Sequence, residues 1–103
     1  MRKIHDKVTG PITITEDTEL FGQINGDVTL ESGIDLVVRG QLNGHLTVRP
    51  KAIASIFGEL NGDAWVEGRL TVWGMVSGSV RRAANAEVQV FADGTIAGSV
   101  SVA

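Results

Sequence analysis

The stretch Gly40-Gln-Leu-Asn-Gly-His-Leu46 is preceded by Gly22-Gln-Ile-Asn-Gly-Asp-Val28 and followed by Gly58-Glu-Leu-Asn-Gly-Asp-Ala64. Two looser copies continue the series, Gly74-Met-Val-Ser-Gly-Ser-Val80 and Gly94-Thr-Ile-Ala-Gly-Ser-Val100. Their first glycines, at 22, 40, 58, 74 and 94, stand 18, 18, 16 and 20 residues apart. A period near 18 residues carried by aliphatic side chains marks one structural unit stacked on copies of itself.

Aliphatic or small residues fall at 24, 28, 30, 34, 36 and 38, and again at 42, 46, 48, 52, 54 and 56. Within each short segment they alternate with mostly polar residues, the period of a strand with one buried face. Three such segments fill each unit, and no segment offers the i, i+3, i+4 spacing of a helix. The 13 glycines, roughly twice average usage, suit corners where the chain bends or approaches its neighbour closely. The pattern predicts an all-β fold: a three-sided parallel β-solenoid of five to six coils, about 18 residues per coil. Residues 12–103 are expected to form this single domain, with 1–11 as a lead-in or cap. Glu16 and Thr18 fall in slots that hold Ile34 and Leu36 one turn later, as in a coil that partly caps the stack. The short interval points to a deletion near Glu67-Gly68, and the long one to a compensating insertion around Ala83–Ala86.

The chain has 103 residues, 43% of them hydrophobic and only 5% aromatic, so one aliphatic core is expected rather than a disordered tail. There is no cysteine, which excludes a disulfide framework and thiol or zinc-thiolate chemistry. A net charge of -3 without a basic stripe argues against a nucleic-acid partner. No apolar run reaches the length of a membrane span or a signal peptide, so the expectation is a cytoplasmic protein without a membrane partner.

The repeated Gly-x-aliphatic-x-Gly-x-aliphatic phrase in a cysteine-free chain of this length resembles the bactofilins, over about residues 20–102. That resemblance implies a right-handed, three-sided β-helix and end-to-end assembly without nucleotide, as in a bacterial cytoskeletal polymer. Bactofilin cores commonly carry flexible tails and in some cases an apolar membrane tether. Eleven residues precede the first expected coil here.

Catalytic and metal-binding readings fare less well. The every-sixth-residue aliphatic count at Ile24, Leu30, Leu36, Leu42 and Val48 also suits hexapeptide acyltransferases, but those need a catalytic histidine or loop excursion to build a donor pocket. Asp27, His45 and Asp63 are expected to form one outward column whose ligand types suit zinc or manganese. Strung along the rod, they read instead as a charge-complementary surface ladder. His5 is expected to be solvated. Asn25, Asn43 and Asn61 recur in step and are expected to pass amide hydrogen bonds from coil to coil. No catalytic residue, cofactor or metal site is assigned, and the chain is read as a non-enzyme.

The contact residues are read from exposure. Phe21, Phe57 and Trp73 each precede the first glycine of a phrase, with Arg39 at the equivalent place between them. Alternation sends all four outward, and Trp65 lies outside on a nearby face, together forming a stripe suited to a protein contact. The last coil, from Gly94 on, has no charged side chain and no proline, so Ile96, Val100 and Val102 would face an open core end. The chain is therefore read as a scaffold or assembly protein whose partner is another copy of itself, met at the C-terminal coil edge. The alternative is an inhibitor or immunity protein that blocks a toxin or enzyme with a solenoid face.

Overall fold

The computed structural model describes residues 2–91 and 93–102. Eighteen short strands wind into six coils of three. The first coil holds β1 (Arg2–Ile4), β2 (Lys7–Thr9) and β3 (Ile12–Ile14), and the second β4 (Thr18–Leu20), β5 (Gln23–Asn25) and β6 (Val28–Leu30). The third is β7 (Asp35–Val38), β8 (Gln41–Asn43) and β9 (Leu46–Val48); the fourth is β10 (Ile53–Ile56), β11 (Glu59–Asn61) and β12 (Ala64–Val66). The fifth comprises β13 (Arg69–Val72), β14 (Met75–Val76) and β15 (Val80–Arg82), and the sixth β16 (Glu87–Val90), β17 (Thr95–Ile96) and β18 (Val100–Val102). Every third strand pairs in parallel, giving three six-stranded sheets: β1-β4-β7-β10-β13-β16, then β2-β5-β8-β11-β14-β17, then β3-β6-β9-β12-β15-β18. The fold is the three-sided solenoid that the 18-residue period implies.

Inward side chains stack in continuous columns. On the second sheet the column is Val8, Ile24, Leu42, Leu60, Val76 and Ile96, each in register with the next. Ile24, Leu42, Leu60 and Val76 have no exposed surface. Thr18 enters the column of Leu36, Ala54, Leu70 and Val88 and is also fully buried. Its hydroxyl donates to the Glu16 carbonyl at 2.8 Å, which removes the cost of hiding a polar group. Glu16 itself is exposed.

Glycine is demanded at the corners by the closeness of the coils. A Cβ on Gly40, Gly58 or Gly74 would lie 2.0–2.1 Å from the carbonyl oxygen of the corner glycine one coil back. No side chain fits there.

Two expectations change. Residues 2–9, expected as lead-in, supply β1 and β2, and a full coil precedes Thr18. The corner at Glu67–Gly68 is two residues long, where its predecessors at 31–34 and 49–52 have four, so the deletion lies where expected. The corner at 83–86 is of ordinary length, however; the extra residues lie at 91–94, between β16 and β17, where earlier coils use two.

Candidate functional site

The outward stripe is longer and more ordered than alternation alone indicates. At the corner between the first and second sheets, planar groups of successive coils stack in two runs, His5 with Phe21 and Arg39 through Phe57 and Trp73 to Phe91. His5 lies on Phe21 with ring centroids 4.8 Å apart, Phe57 on Trp73 at 5.5 Å, and Trp73 on Phe91 at 3.7 Å, all within 6° of parallel. The Arg39 guanidinium sits over the Phe57 ring at 5.0 Å and pairs with Glu19. Phe21, Arg39, Phe57 and Trp73 thus share one edge, joined by His5 at one end and Phe91 at the other. His5 is exposed, as expected of a solvated group, but it is also stacked. Phe21, Phe57 and Trp73 remain 40–43% exposed.

Trp65 stands apart from this ladder. It lies on the outer face of the third sheet, in register with Thr47 and Arg81, with the Arg81 guanidinium 5.8 Å from its ring centroid.

The column of Asp27, His45 and Asp63 is a ladder, but charge pairing is its smaller part. Asp27 Oδ1 accepts the His45 N–H at 3.0 Å, His45 Nδ1 accepts the Asp63 N–H at 3.1 Å, and Asp63 Oδ1 accepts the Ser79 N–H at 2.8 Å. Ser79 Oγ continues the series by accepting the Ser99 N–H at 3.2 Å. Each side chain satisfies the corner amide of the next coil, so the position requires an acceptor rather than a charge. Aspartate, neutral histidine and serine all qualify. The His45–Asp63 ion-pair distance is 3.9 Å between exposed groups, worth little in water. Among the described residues no three His, Asp or Glu side chains are grouped to hold a metal. The asparagine ladder forms as read: Asn43 Nδ2 donates to Asn25 Oδ1 at 2.8 Å and Asn61 Nδ2 to Asn43 Oδ1 at 2.7 Å.

The two ends of the rod differ. In the first coil Ile4 and Ile14 are only 6% and 2% exposed. In the sixth, Val90, Val100 and Val102 are 48%, 48% and 56% exposed, although the columns they continue are sealed further in, at Val72, Val80 and Val66. Ile96 is half-buried. The backbone edge is open too. Ile12, Val28, Leu46, Ala64 and Val80 each donate an N–H to a carbonyl of the next coil. The same slot falls to Val100 in the last described coil, where no further described strand receives it.

A charged residue also enters the core near this end. Arg82 occupies the inward column of Ile14, Leu30, Val48 and Val66, directly before Val102. It is half-buried and turns its guanidinium to the Ala86 carbonyl at 3.1 Å. Arg82 thus puts a charged residue in the inward column next to Val102.

No family model, curated protein or solved structure matches the chain.

Proposed function

We propose that the chain is a non-enzymatic, bactofilin-like scaffold protein that works by self-association of a rigid β-helix, through the edge of its sixth coil. The observation that carries this reading is the coincidence, on one surface, of three half-exposed core valines and a backbone edge that no described strand pairs. Either feature alone is ordinary. Together they are what a seventh coil would cover, and another strand supplies both the hydrogen bonds and the apolar lid. A second copy meeting the first tail to tail covers the two edges symmetrically. Residues 94–103 carry no charged side chain to repel it. Filaments require the opposite end to pair as well.

The second reading, a compact inhibitor or immunity protein, draws support from the aromatic edge of Phe21, Phe57 and Trp73 with Arg39 beside them. Such side chains are frequent at the centre of protein contacts. Trp65 and its neighbours belong to a different face.

Sedimentation of the wild type against a Val100→Lys, Val102→Lys double variant separates the readings. The scaffold reading expects a concentration-dependent oligomer that the lysines return to monomer, and a Trp73→Ser variant that still assembles through its tail. A wild type that stays monomeric at roughly tens of micromolar, where a specific contact of micromolar affinity would form, overturns it. Association abolished by Trp73→Ser, with the fold intact by circular dichroism, would transfer the contact to the aromatic edge.

A further inference from the structure

We propose that a groove on the outer face of the third sheet, built around Trp65, binds a carboxylate-bearing pyranose, a hexuronic acid unit of an acidic saccharide. The groove encloses about 310 Å³. His45, Asp63 and Ser79 form one wall at the corner, and Thr47, Trp65 and Arg81 form the other on β9, β12 and β15. Residues 46 and 64, whose side chains are buried, run beneath.

The ring faces decide what can enter. In the corner ladder, Phe57 lies between Arg39 and Trp73, and Trp73 between Phe57 and Phe91, so both faces are occupied and only edges remain. Trp65 differs. Arg81 lies over one side, the residue in register on the other side is the small Thr47, and among the described residues no ring stacks on it. The π-face of an indole carries negative charge density and attracts the weakly positive C–H face of a sugar ring.

The polar groups match a polyol. Asp63 Oδ1 is committed to the Ser79 N–H, but Oδ2 makes no hydrogen bond among the described residues and can accept from a hydroxyl. His45 Nδ1 is committed to the Asp63 N–H, which puts the proton of the neutral imidazole on Nε2, where it can donate. The Ser79 hydroxyl, which already accepts the Ser99 N–H, can donate, and the Thr47 hydroxyl can do either. A ligand that answers all four needs alternating donors and acceptors around an apolar face, and a pyranose has that arrangement.

Charge selects among pyranoses. Arg81 has no carboxylate within ion-pair distance among the described residues, unlike Arg39, Arg49 and Arg69, which pair with Glu19, Glu67 and Glu87. Its planar fork fits a carboxylate in bidentate fashion. A phosphate dianion is disfavoured, because the Asp63 carboxylate lines the same groove. The volume is at the small end of ligand pockets, enough for one ring with its neighbours in a chain lying outside.

Titration of the intact protein with a galacturonate oligomer, followed by backbone amide NMR, tests this. The expected result is a saturable shift of amides at 45–47, 63–65 and 79–81, with a dissociation constant of about a millimolar, as befits one stacked ring and one ion pair. Trp65→Ala should weaken it at least about tenfold. Arg81→Gln should do the same, and reduce the affinity to that of a neutral glucose oligomer; a tenfold loss is about 1.4 kcal/mol. Arg81 is exposed and outward, so this variant keeps the fold. No saturable shift, a shift that Trp65→Ala leaves untouched, or equal affinity of the wild type for the neutral oligomer would overturn the proposal. The groove lies outside the sixth coil, so the outcome does not depend on self-association.

Discussion

Replacing Leu60 by alanine tests the column that holds the rod together. Leu60 has no exposed surface and lies in register between Leu42 and Val76. Losing three carbon groups at about 0.8 kcal/mol each removes about 2.4 kcal/mol of transfer energy. The cavity adds to this, because the neighbouring coils are hydrogen-bonded at fixed strand spacing and cannot sink into the gap. The sum falls near about 4 kcal/mol, inside the range of about 2.7–5.0 kcal/mol found for buried leucines. Ile96, one step beyond Val76 in the same column, is half-buried and has no described coil past it. Ile96→Ala should therefore cost only about 1 kcal/mol. Urea unfolding measures both: with a slope of about 2 kcal/mol per molar, Leu60→Ala should lower the midpoint by about 2 M and Ile96→Ala by about 0.5 M. Equal losses in the two variants would refute the stacking argument, since they would mean that the middle of the column is no better sealed than its end.

Gly58→Ala would place a methyl 2.1 Å from the Gly40 carbonyl oxygen and 2.6 Å from that of Arg39, so it should cost at least about 3 kcal/mol in the same assay. Gly33→Ala, at φ 76° with nothing within 4 Å, should cost only the backbone strain of about 1 kcal/mol. His45→Ala removes the acceptor of the Asp63 N–H and should destabilise by about 0.5–1.5 kcal/mol, whereas His45→Asp, which restores the Asp27 type of acceptor, should lose much less.

The middle of the rod was legible because three constraints coincide there. Period-two burial, the 18-residue repeat and the glycine pair all mark the same corners in coils two to four. The first coil was hidden for a physical reason. Gly22 must be glycine because its Cβ would lie 2.2 Å from the Asp6 carbonyl oxygen below it, whereas Asp6 has no described coil beneath it and tolerates a side chain. The phrase therefore starts one coil late, and Arg2, Lys3, His5 and Lys7 disguise a strand pair whose inward residues are Ile4 and Val8. His5 and Phe91 were missed as ladder members because neither is followed directly by glycine. For Phe91, the corner has lengthened to four residues. The charge of Arg82 suggests an outward side chain, whereas its parity places it inward. The acceptor role of Asp27, His45 and Asp63 depends on which backbone amide each side chain meets. Residue type alone, alternating between acid and imidazole, suggested charge pairing instead.

Amide hydrogen exchange at Val100, read against protein concentration, tests the self-association claim most directly. The equivalent amides of Val28, Leu46, Ala64 and Val80 are bonded to the following coil and should exchange slowly at every concentration. The Val100 amide has no such acceptor among the described residues and should exchange fast in dilute solution. If a second copy pairs with this edge, its exchange should slow at least about tenfold, equivalent to about 1.4 kcal/mol of protection, as concentration rises through the association midpoint seen by sedimentation. Exchange at Val100 that stays fast while the protein is demonstrably oligomeric would place the contact elsewhere and contradict assembly through the sixth coil.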